Sequence, residues 1–550
     1  MPITRRTFTG GALGVGLACQ LAVPAFAQNS KYAAALAAIR AYGQVHLDHF
    51  RLPGLTLGVT GPDGFSTVMN FGYANADERT PITADTLFQI GSISKLTTAA
   101  LLHQFAAEGK FRLNDRLSDL LPSIPFPQGN AIEVQHLLDH VAGIPGDAPA
   151  FPVGGLWTAY APGAHWHYSN TGYEILGKLV EHFAGEPLAR VVEKRLFMPL
   201  GMTRTRGAII GADRIRYAQG YEAADQGPFA LGVPLLPAAW VDVTFGSGEV
   251  ASTADDMTRL LRSLANAAQG RGGMGLSPEG GRAYALHAVP SDSRAMSYGN
   301  GLMHVGGRGR SYLHHTGGMV SFSSSFHVDV GSGAGAFASS TLSAFAEYRP
   351  RLLTQFAVDA LTAASAGHPL PAPPPLQAPL ANAAAFVGRY VGPAGEIEVR
   401  SGSPLTLVAN GQSAPLQQWD GDVFHTTHPM FRDFGLMFER KANSVTAASW
   451  GPATYVRAGS GAAVAPSNPQ LAKLAGRFVN DSPWNGMAHV VERGGRLWVG
   501  TETPMTAIGN NLWRVGEDSW SPERGSFANF IDGRPQTFTF SGVNFDRHDL

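Results

Sequence analysis

Ser92 and Lys95 are separated by two residues in FQIGSISKLTTAALL, residues 88–102, at the start of a predicted helix. Side chains at i and i+3 lie on the same side of a helix, so the lysine amine can reach the serine hydroxyl. A lysine held out of water can lose its proton and then accept the serine proton, which makes the hydroxyl a nucleophile. The alternative is an ordinary first turn whose lysine is solvated. The apolar residues after Lys95 indicate a buried helix and favour the nucleophile.

Two further motifs could supply a proton-transfer partner and a substrate cradle. Tyr168-Ser-Asn170 precedes the amphipathic helix pattern GYEILGKLVEHFAG, so a loop can present these side chains at a cleft. Tyr-x-Asn also occurs at Tyr73 and Tyr298, where the context favours core or turn residues. The stretch HTGG at 315–318 precedes an alternating strand pattern, and its glycines allow a substrate backbone to approach closely.

The three motifs in this order resemble those of the serine β-lactamase and penicillin-recognising enzyme superfamily. Connecting segments such as HLLDHVAGIPG and SGEVASTADDMTRLL resemble its class C branch, so the likeness covers roughly residues 35–365. That branch includes class C β-lactamases, carboxypeptidases, D-aminopeptidases, family VIII esterases and peptidases of linearised cyclic peptides such as microcystin. The resemblance implies an α/β (α+β) fold in which an antiparallel sheet is flanked by helices, with a helical lobe and the site between them.

The resemblance also implies a role for each motif residue. Ser92 would attack a carbonyl, Lys95 and Tyr168 would share proton transfer, and the N–H groups of Ser92 and Gly318 would form the oxyanion hole. Asn170 would orient Lys95 and the substrate amide, and water would release the acyl group. His315 stands where β-lactamases usually have a lysine, so a substrate carboxylate should be held less strongly. The predicted catalytic residues are Ser92, Lys95 and Tyr168, and the predicted substrate-binding or supporting residues are Asn170, His315, Thr316, Gly317 and Gly318.

The pattern of the chain changes after the predicted catalytic domain, residues 31–365. A proline-rich linker is predicted at 366–383, and short strand patterns separated by turn residues follow it. FVGRYV at 386–391 returns as LAGRFV at 474–479, which indicates two related units, 384–458 and 470–550. Units of this length commonly close into small barrels, because closure removes exposed strand edges. D-aminopeptidases of the branch named above carry two such barrels.

The N-terminus predicts export. Arg5-Arg6, a short Gly- and Ala-rich apolar stretch and Ala25-Phe-Ala27 together indicate a twin-arginine signal over residues 1–27, and hence a periplasmic or secreted protein. The alternatives are a membrane anchor, for which the apolar stretch is short, and lipidation at Cys19. Cleavage after Ala27 would remove the only cysteine and leave no integral membrane span, which would exclude a cysteine nucleophile and cysteine-based zinc sites.

Composition narrows the function classes. The chain has 41 basic and 42 acidic residues, and no run of either sign would attract nucleic acid. The histidines at 165, 167, 314 and 315 lack a completing carboxylate or cysteine pattern, so neither metal nor cofactor is expected. The sequence therefore predicts a serine hydrolase of small peptides or amides. The alternatives are a family VIII-type esterase, a β-lactamase or DD-carboxypeptidase, and a penicillin-binding-like sensor without turnover. No sequence signal indicates an oligomeric state.

Overall fold

The computed structural model describes residues 25–548, except 125, 128–130, 151, 153–154, 225–227, 294, 347 and 378. The predicted export signal, residues 1–27, lies outside this described part apart from its last three residues. Within the described part, no helix combines the length and the apolar character needed to cross a membrane.

Helices and strands alternate in the first two thirds of the chain, and strands dominate the last third. The helices are α1 (Ala25–Phe50), α2 (Lys95–Ala107), α3 (Leu117–Leu120), α4 (Val134–Leu138), α5 (Asn170–Ala184), α6 (Leu188–Val192), α7 (Ala254–Ala268), α8 (Pro278–Leu286), α9 (Arg351–Ser365) and α10 (Pro469–Ala472). The strands of the catalytic domain are β1 (Gly54–Thr60), β2 (Ser66–Asn75), β3 (Thr80–Pro81), β4 (Phe88–Gln89), β5 (Tyr221–Ala223), β6 (Leu235–Pro237), β7 (Ala251–Ser252), β8 (Val289–Pro290), β9 (Met296–Gly299), β10 (Leu302–Gly307), β11 (Arg310–Gly318), β12 (Ser323–Asp329) and β13 (Gly335–Ser340).

Nine of these strands form one antiparallel sheet in the order β3-β2-β1-β13-β12-β11-β10-β9-β8. Its central strands are buried on both faces, as the continuous burial of β1, β12 and β13 shows. Side chains alternate between the faces, so Ala336 and Ala338 belong to one core while Phe337 belongs to the other. The predicted fold class, a β-lactamase-like sheet between helical layers, is confirmed.

Different helices cover the two faces of the sheet. On one face α1 and α9 bury a core that includes Leu55, Leu57 and Phe356. On the other face α2, α5, α7 and α8 form the larger core, which includes Leu101 and Leu176. This second layer is the helical lobe, and α2 within it carries Lys95 at its first position.

Two closed eight-stranded barrels follow the catalytic domain. The first contains β14 (Gly388–Gly392), β15 (Gly395–Arg400), β16 (Leu405–Ala409), β17 (Gln412–Asp420), β18 (Val423–Thr426), β19 (Leu436–Lys441), β20 (Ser444–Trp450) and β21 (Ala453–Arg457). The second contains β22 (Gly476–Val479), β23 (Met487–Arg493), β24 (Arg496–Val499), β25 (Thr503–Gly509), β26 (Leu512–Val515), β27 (Arg524–Ile531), β28 (Arg534–Phe540) and β29 (Val543–Arg547).

The repeated sequence FVGRYV/LAGRFV supplies the strand that closes each barrel. β14 pairs with the last strand β21, and β22 pairs with β29 in the same way. In both barrels an arginine of the last strand donates to carbonyls just before or within the repeat: Arg457 to Ala385 and Val387, and Arg547 to Ala475. The repeat is therefore visible in sequence because both copies perform the same closure.

The proline-rich segment between α9 and the first barrel lies on the catalytic domain. Leu370 and Leu376 pack against the core under α1 and α9. The hydroxyl of Tyr42 donates to the carbonyl of Pro374 at 2.8 Å. These contacts fix part of the segment against the domain that precedes it.

Candidate active site

Ser92 lies in a tight 3-10 turn, Gly91–Ser94, directly before α2, and Lys95 is the first residue of that helix. The Lys95 side chain is fully buried. Its Nζ atom lies 3.1 Å from Ser92 Oγ, 2.6 Å from Asn170 Oδ1 and 2.8 Å from the carbonyl oxygen of Ser247. The lysine is thus held between the predicted nucleophile and two acceptors, and it is not the solvated first-turn lysine of the alternative interpretation.

Burial sets the protonation of this centre. It lowers the pKa of Lys95 to about 7, although the carboxylates of Asp147, Glu249 and Glu174 act in the opposite direction. Burial also raises the pKa of Glu249 to about 8 and that of Glu174 to about 7. A substantial fraction of Lys95 is therefore neutral near pH 7, which is the form that can accept a proton.

Tyr168 and Asn170 approach Lys95 from the loop before α5 and from its first residue. The Tyr168 ring centre lies 4.8 Å from Lys95 Nζ. Burial raises the pKa of Tyr168 above its usual value, and a hydrogen bond with Ser92 opposes that change. Asn170 Nδ2 donates to Asp147 Oδ1 at 2.7 Å, which fixes the amide so that its oxygen faces Lys95.

The third motif lies on β11, beside the turn that carries Ser92. Gly91 has a φ of +55°, and a Cβ there would lie 2.8 Å from the backbone nitrogen of Gly318. A Cβ on Gly317 would overlap the carbonyl oxygen of Ile90. Both positions therefore require glycine, because the backbone before Ser92 presses directly against the motif strand.

His315 faces the interior of the protein. Its Nδ1 atom lies 2.6 Å from the Thr316 carbonyl oxygen, which can only accept, so Nδ1 carries the proton. Its Nε2 atom then accepts from the Tyr298 hydroxyl at 3.2 Å. Burial lowers the pKa of His315 to about 3, with a further contribution from Lys95, so the ring is neutral at pH 7. Tyr298 itself is a fully buried core residue, whereas Tyr73 is exposed.

A cavity of about 320 Å³ opens over Ser92. Ser92, Asn170 and Gly318 line it, whereas the other predicted site residues are not among its described lining residues. Three acidic side chains lie along its wall, Asp147, Glu174 and Asp242, and none of its described lining residues is Lys, Arg or His. The cavity is consequently anionic.

The second barrel forms part of the cavity wall. Ser482, Trp484 and Asn485 belong to the connection between β22 and β23, and Val543 begins β29. These barrel residues and the three acidic residues are not among the site residues predicted from the sequence. Asp147 follows directly on the quoted segment HLLDHVAGIPG, which is a signal that could have drawn attention to it. The barrel residues carry no such signal, because their place at the cavity depends on how the domains pack.

Other histidines near the cavity pack within the loop before α5 or against the second barrel. His140 lies against Tyr168 with ring centres 4.3 Å apart, and its Nδ1 atom accepts from the backbone nitrogen of Ser169 at 3.1 Å. His165 and His167 contact the second barrel. In the described part of the chain, no group of three or more His, Cys, Asp or Glu residues is arranged to hold a metal ion.

Comparison with known proteins identifies the family of the first domain. Residues 25–357 match the family model described as Beta-lactamase. Relatives include a beta-lactamase of Pseudomonas fluorescens, 33% identical over 32% of this chain and 51% of the relative, and penicillin-binding protein 4* of Bacillus subtilis, 31% identical over 28% of this chain and 38% of the relative. The chain thus spans about half the length, or less, of these two relatives.

Two solved structures share the fold. The octameric penicillin-binding protein homologue of Pyrococcus abyssi aligns over 77% of this chain and its own full length, with a TM-score of 0.55 and 21% identity. D-amino acid amidase of Ochrobactrum anthropi aligns over 61% of this chain and 99% of its own, with a TM-score of 0.50 and 22% identity. At these identities the likeness establishes the fold.

Proposed function

The chain belongs to the beta-lactamase family, and from this premise we propose that it forms an acyl-enzyme at Ser92 and hydrolyses small peptides or amides that carry a free ammonium group. Family membership supports a serine hydrolase, and the substrate class and the covalent step go beyond it as part of the proposal. The observation that carries it is the contact between a fully buried Lys95 and Ser92 at the floor of a cavity.

Neutral Lys95 is the proposed base for acylation. An uncharged amine has two N–H groups and one lone pair, and Asn170 Oδ1 and the Ser247 carbonyl can accept the two N–H groups. The lone pair is then left for the Ser92 hydroxyl proton. Proton transfer to Nζ frees Ser92 Oγ to attack the substrate carbonyl, and the resulting ammonium keeps all three contacts as a donor.

Tyr168 is the proposed proton carrier between the amine and the leaving group. Its raised pKa keeps the phenol protonated near pH 7, so it can donate a proton to the departing nitrogen and recover one from Lys95. The backbone N–H groups of Ser92 and Gly318, both at the cavity, are the proposed donors to the oxyanion. After the leaving group departs, water would attack the carbonyl of the acyl-enzyme. The same proton transfers in reverse would then release the acyl group from Ser92.

The charge of the cavity supports an ammonium-bearing substrate. Asp147, Glu174 and Asp242 would attract a cation and repel the carboxylate of a β-lactam or of a peptide ending in D-Ala-D-Ala. Neutral His315 would not offset that repulsion, because its ring is uncharged and turned toward Tyr298. Esters of the same acyl groups should also react, since their leaving groups need less assistance.

The test compares kcat/KM for four substrate types on one preparation: amino-acyl nitroanilides, nitrophenyl esters, a chromogenic cephalosporin and a D-Ala-D-Ala peptide. Amino-acyl substrates should be best, and acetylation of their amine should lower kcat/KM at least about tenfold. A cephalosporin that proves the best substrate would identify a β-lactamase, and a preference for non-amino esters would identify an esterase. Covalent labelling without any turnover would identify a sensor.

Variants of the three catalytic residues test the mechanism. Ser92→Ala should abolish both hydrolysis and labelling by an acyl probe. Lys95→Ala and Tyr168→Phe should each lower kcat/KM at least about a hundredfold, as loss of a proton-transfer partner usually does. Near-normal turnover by Ser92→Ala would disprove the proposed function.

A further inference from the structure

The second barrel contacts the catalytic domain through the connection between β26 and β27, residues 516–523, which we call the barrel connection. The Trp520 ring stacks on His165 with ring centres 4.5 Å apart and planes 5° apart. Trp157 Nε1 donates to the carbonyl oxygen of Pro522 at 2.8 Å. The barrel connection is therefore seated on the segment between α4 and α5, which leads to Tyr168.

Glu523 ends the barrel connection, and its carboxylate bridges two parts of that segment. Its Oε1 atom accepts from the backbone N–H of Gly146 at 2.7 Å and lies 2.8 Å from Nε2 of His167. Its other oxygen accepts from the hydroxyl of Ser541 within the barrel. Only 17% of the side chain is exposed, so these contacts form largely away from water.

Each of the two groups held by Glu523 is the immediate neighbour of a site residue. Gly146 precedes Asp147, whose carboxylate fixes the Asn170 amide. His167 precedes Tyr168, whose ring lies beside Lys95. One carboxylate of the second barrel thus ties together the backbone that carries Asp147 and the backbone that carries Tyr168.

The tied segment has little regular structure of its own. The described residues between the end of α4 at Leu138 and the start of α5 at Asn170 form neither helix nor strand. Isolated hydrogen bonds within the segment flank Tyr168: the backbone N–H of His167 donates to the carbonyl oxygen of His140 at 2.8 Å, and that of Ser169 donates to His140 Nδ1 at 3.1 Å. Glu523 adds a contact from outside the segment to the same stretch of backbone.

The charge of Glu523 strengthens its contacts. Burial opposes ionisation, but hydrogen bonds from His167, Ser541 and Gly146 outweigh it and lower the pKa of the carboxyl below its usual value. Glu523 is consequently a carboxylate at neutral pH. Hydrogen bonds to an ionised acceptor are about twice as strong as neutral ones.

We propose that Glu523 is a positioning residue of the hydrolase site, and that the second barrel thereby completes a site whose catalytic residues all lie in the first domain. The inference rests on the proposed function, since it concerns the placement of Tyr168 for proton transfer. A merely adhesive contact between domains would change the stability of the protein and leave the chemistry of folded molecules unaltered.

The first experiment uses the full chain with single substitutions at Glu523. Glu523→Ala should lower kcat by about tenfold to a hundredfold and change KM less than about threefold, because a displacement of about 1 Å at a proton-transfer group costs up to that much. Glu523→Gln retains an acceptor oxygen without the charge and should lose only about threefold to tenfold. Glu517→Ala, an exposed carboxylate in the same barrel connection, is the matched control and should behave as wild type.

The second experiment asks whether Glu523 acts through Tyr168. The Tyr168→Phe variant already lacks the phenol hydroxyl. Adding Glu523→Ala to it should therefore lower kcat by less than about a further threefold. The proposal would be overturned if the kcat loss of the double variant equalled the product of the two single-variant losses. Wild-type kcat in both Glu523 variants would overturn it as well. If Glu523→Ala does not fold, the Glu523→Gln series in both backgrounds decides. Activity that survives in Ser92→Ala would instead indicate failure of the proposed function, so the two failures are distinguishable.

Discussion

Replacing Asp147 by asparagine tests two electrostatic effects of this carboxylate. One is its effect on the pKa values of Lys95 and Glu174, and the other is its contribution to the charge of the cavity. Burial lowers the pKa of Lys95, and the negative charge of Asp147 opposes that change. Burial raises the pKa of Glu174, and the same charge adds to it by repulsion. Asp147→Asn removes the charge but keeps an oxygen that can accept the Asn170 hydrogen bond. Both pKa values should therefore fall, while the cavity loses the negative charge of Asp147.

The size of the change in the Lys95 pKa follows from the distance between the Asp147 carboxylate and the Lys95 amine. Asn170 lies 2.7 Å from the Asp147 carboxylate and 2.6 Å from the Lys95 amine. Two unit charges about 7 Å apart, which this path allows, attract by about 0.6 kcal/mol at a dielectric of about 80 and about 2.4 kcal/mol at about 20. Asp147 is exposed, so the lower figure is the relevant one. It corresponds to about half a pH unit.

The assay measures kcat/KM between about pH 5 and 9 for a neutral nitrophenyl ester and for an amino-acyl ester with a free ammonium group. The midpoint of the acid limb should fall by about half a pH unit for both substrates. At pH 7 the KM of the ammonium substrate should rise about threefold, and that of the neutral ester should not. Glu279→Gln, an exposed carboxylate on α8, controls for net charge. An unchanged KM for the ammonium substrate, or a midpoint that rises, would refute the reasoning.

Two further predictions concern stability and export. Burial lowers the pKa of His46 and of His314 to about 4, so the unfolded chain binds protons below about pH 6.5 that the native protein does not bind until about pH 4. The free energy of unfolding should thus fall as the pH drops through this window, by roughly 3 kcal/mol per histidine at pH 4. Urea unfolding measures it, and identical unfolding curves at pH 7 and pH 4.5 would contradict this prediction. Replacing Arg5 and Arg6 by lysine should retain the precursor in the cytoplasm, and wild-type recovery from the periplasm would point to another export route.

The sequence determined the fold class, the order of the motifs and the presence of two barrels. Ser92 and Lys95 are three positions apart on a helix, so their contact is local and could be inferred from spacing. The barrels were predicted from a repeat, because each copy performs the same strand closure. Such features depend on neighbours in the chain or on a recurring pattern, and either can be recognised without coordinates.

Only the tertiary structure decided what surrounds those motifs. The sequence placed His315 with the substrate-binding residues, whereas the packing of β11 against Tyr298 turns its ring to the interior and leaves the cavity to carboxylates. Glu523 lies 377 residues after Gly146, and Trp484 belongs to a barrel with no predicted ligand. Contacts of that range depend on how whole domains dock, which is fixed by surface complementarity and has no counterpart in local spacing or periodicity.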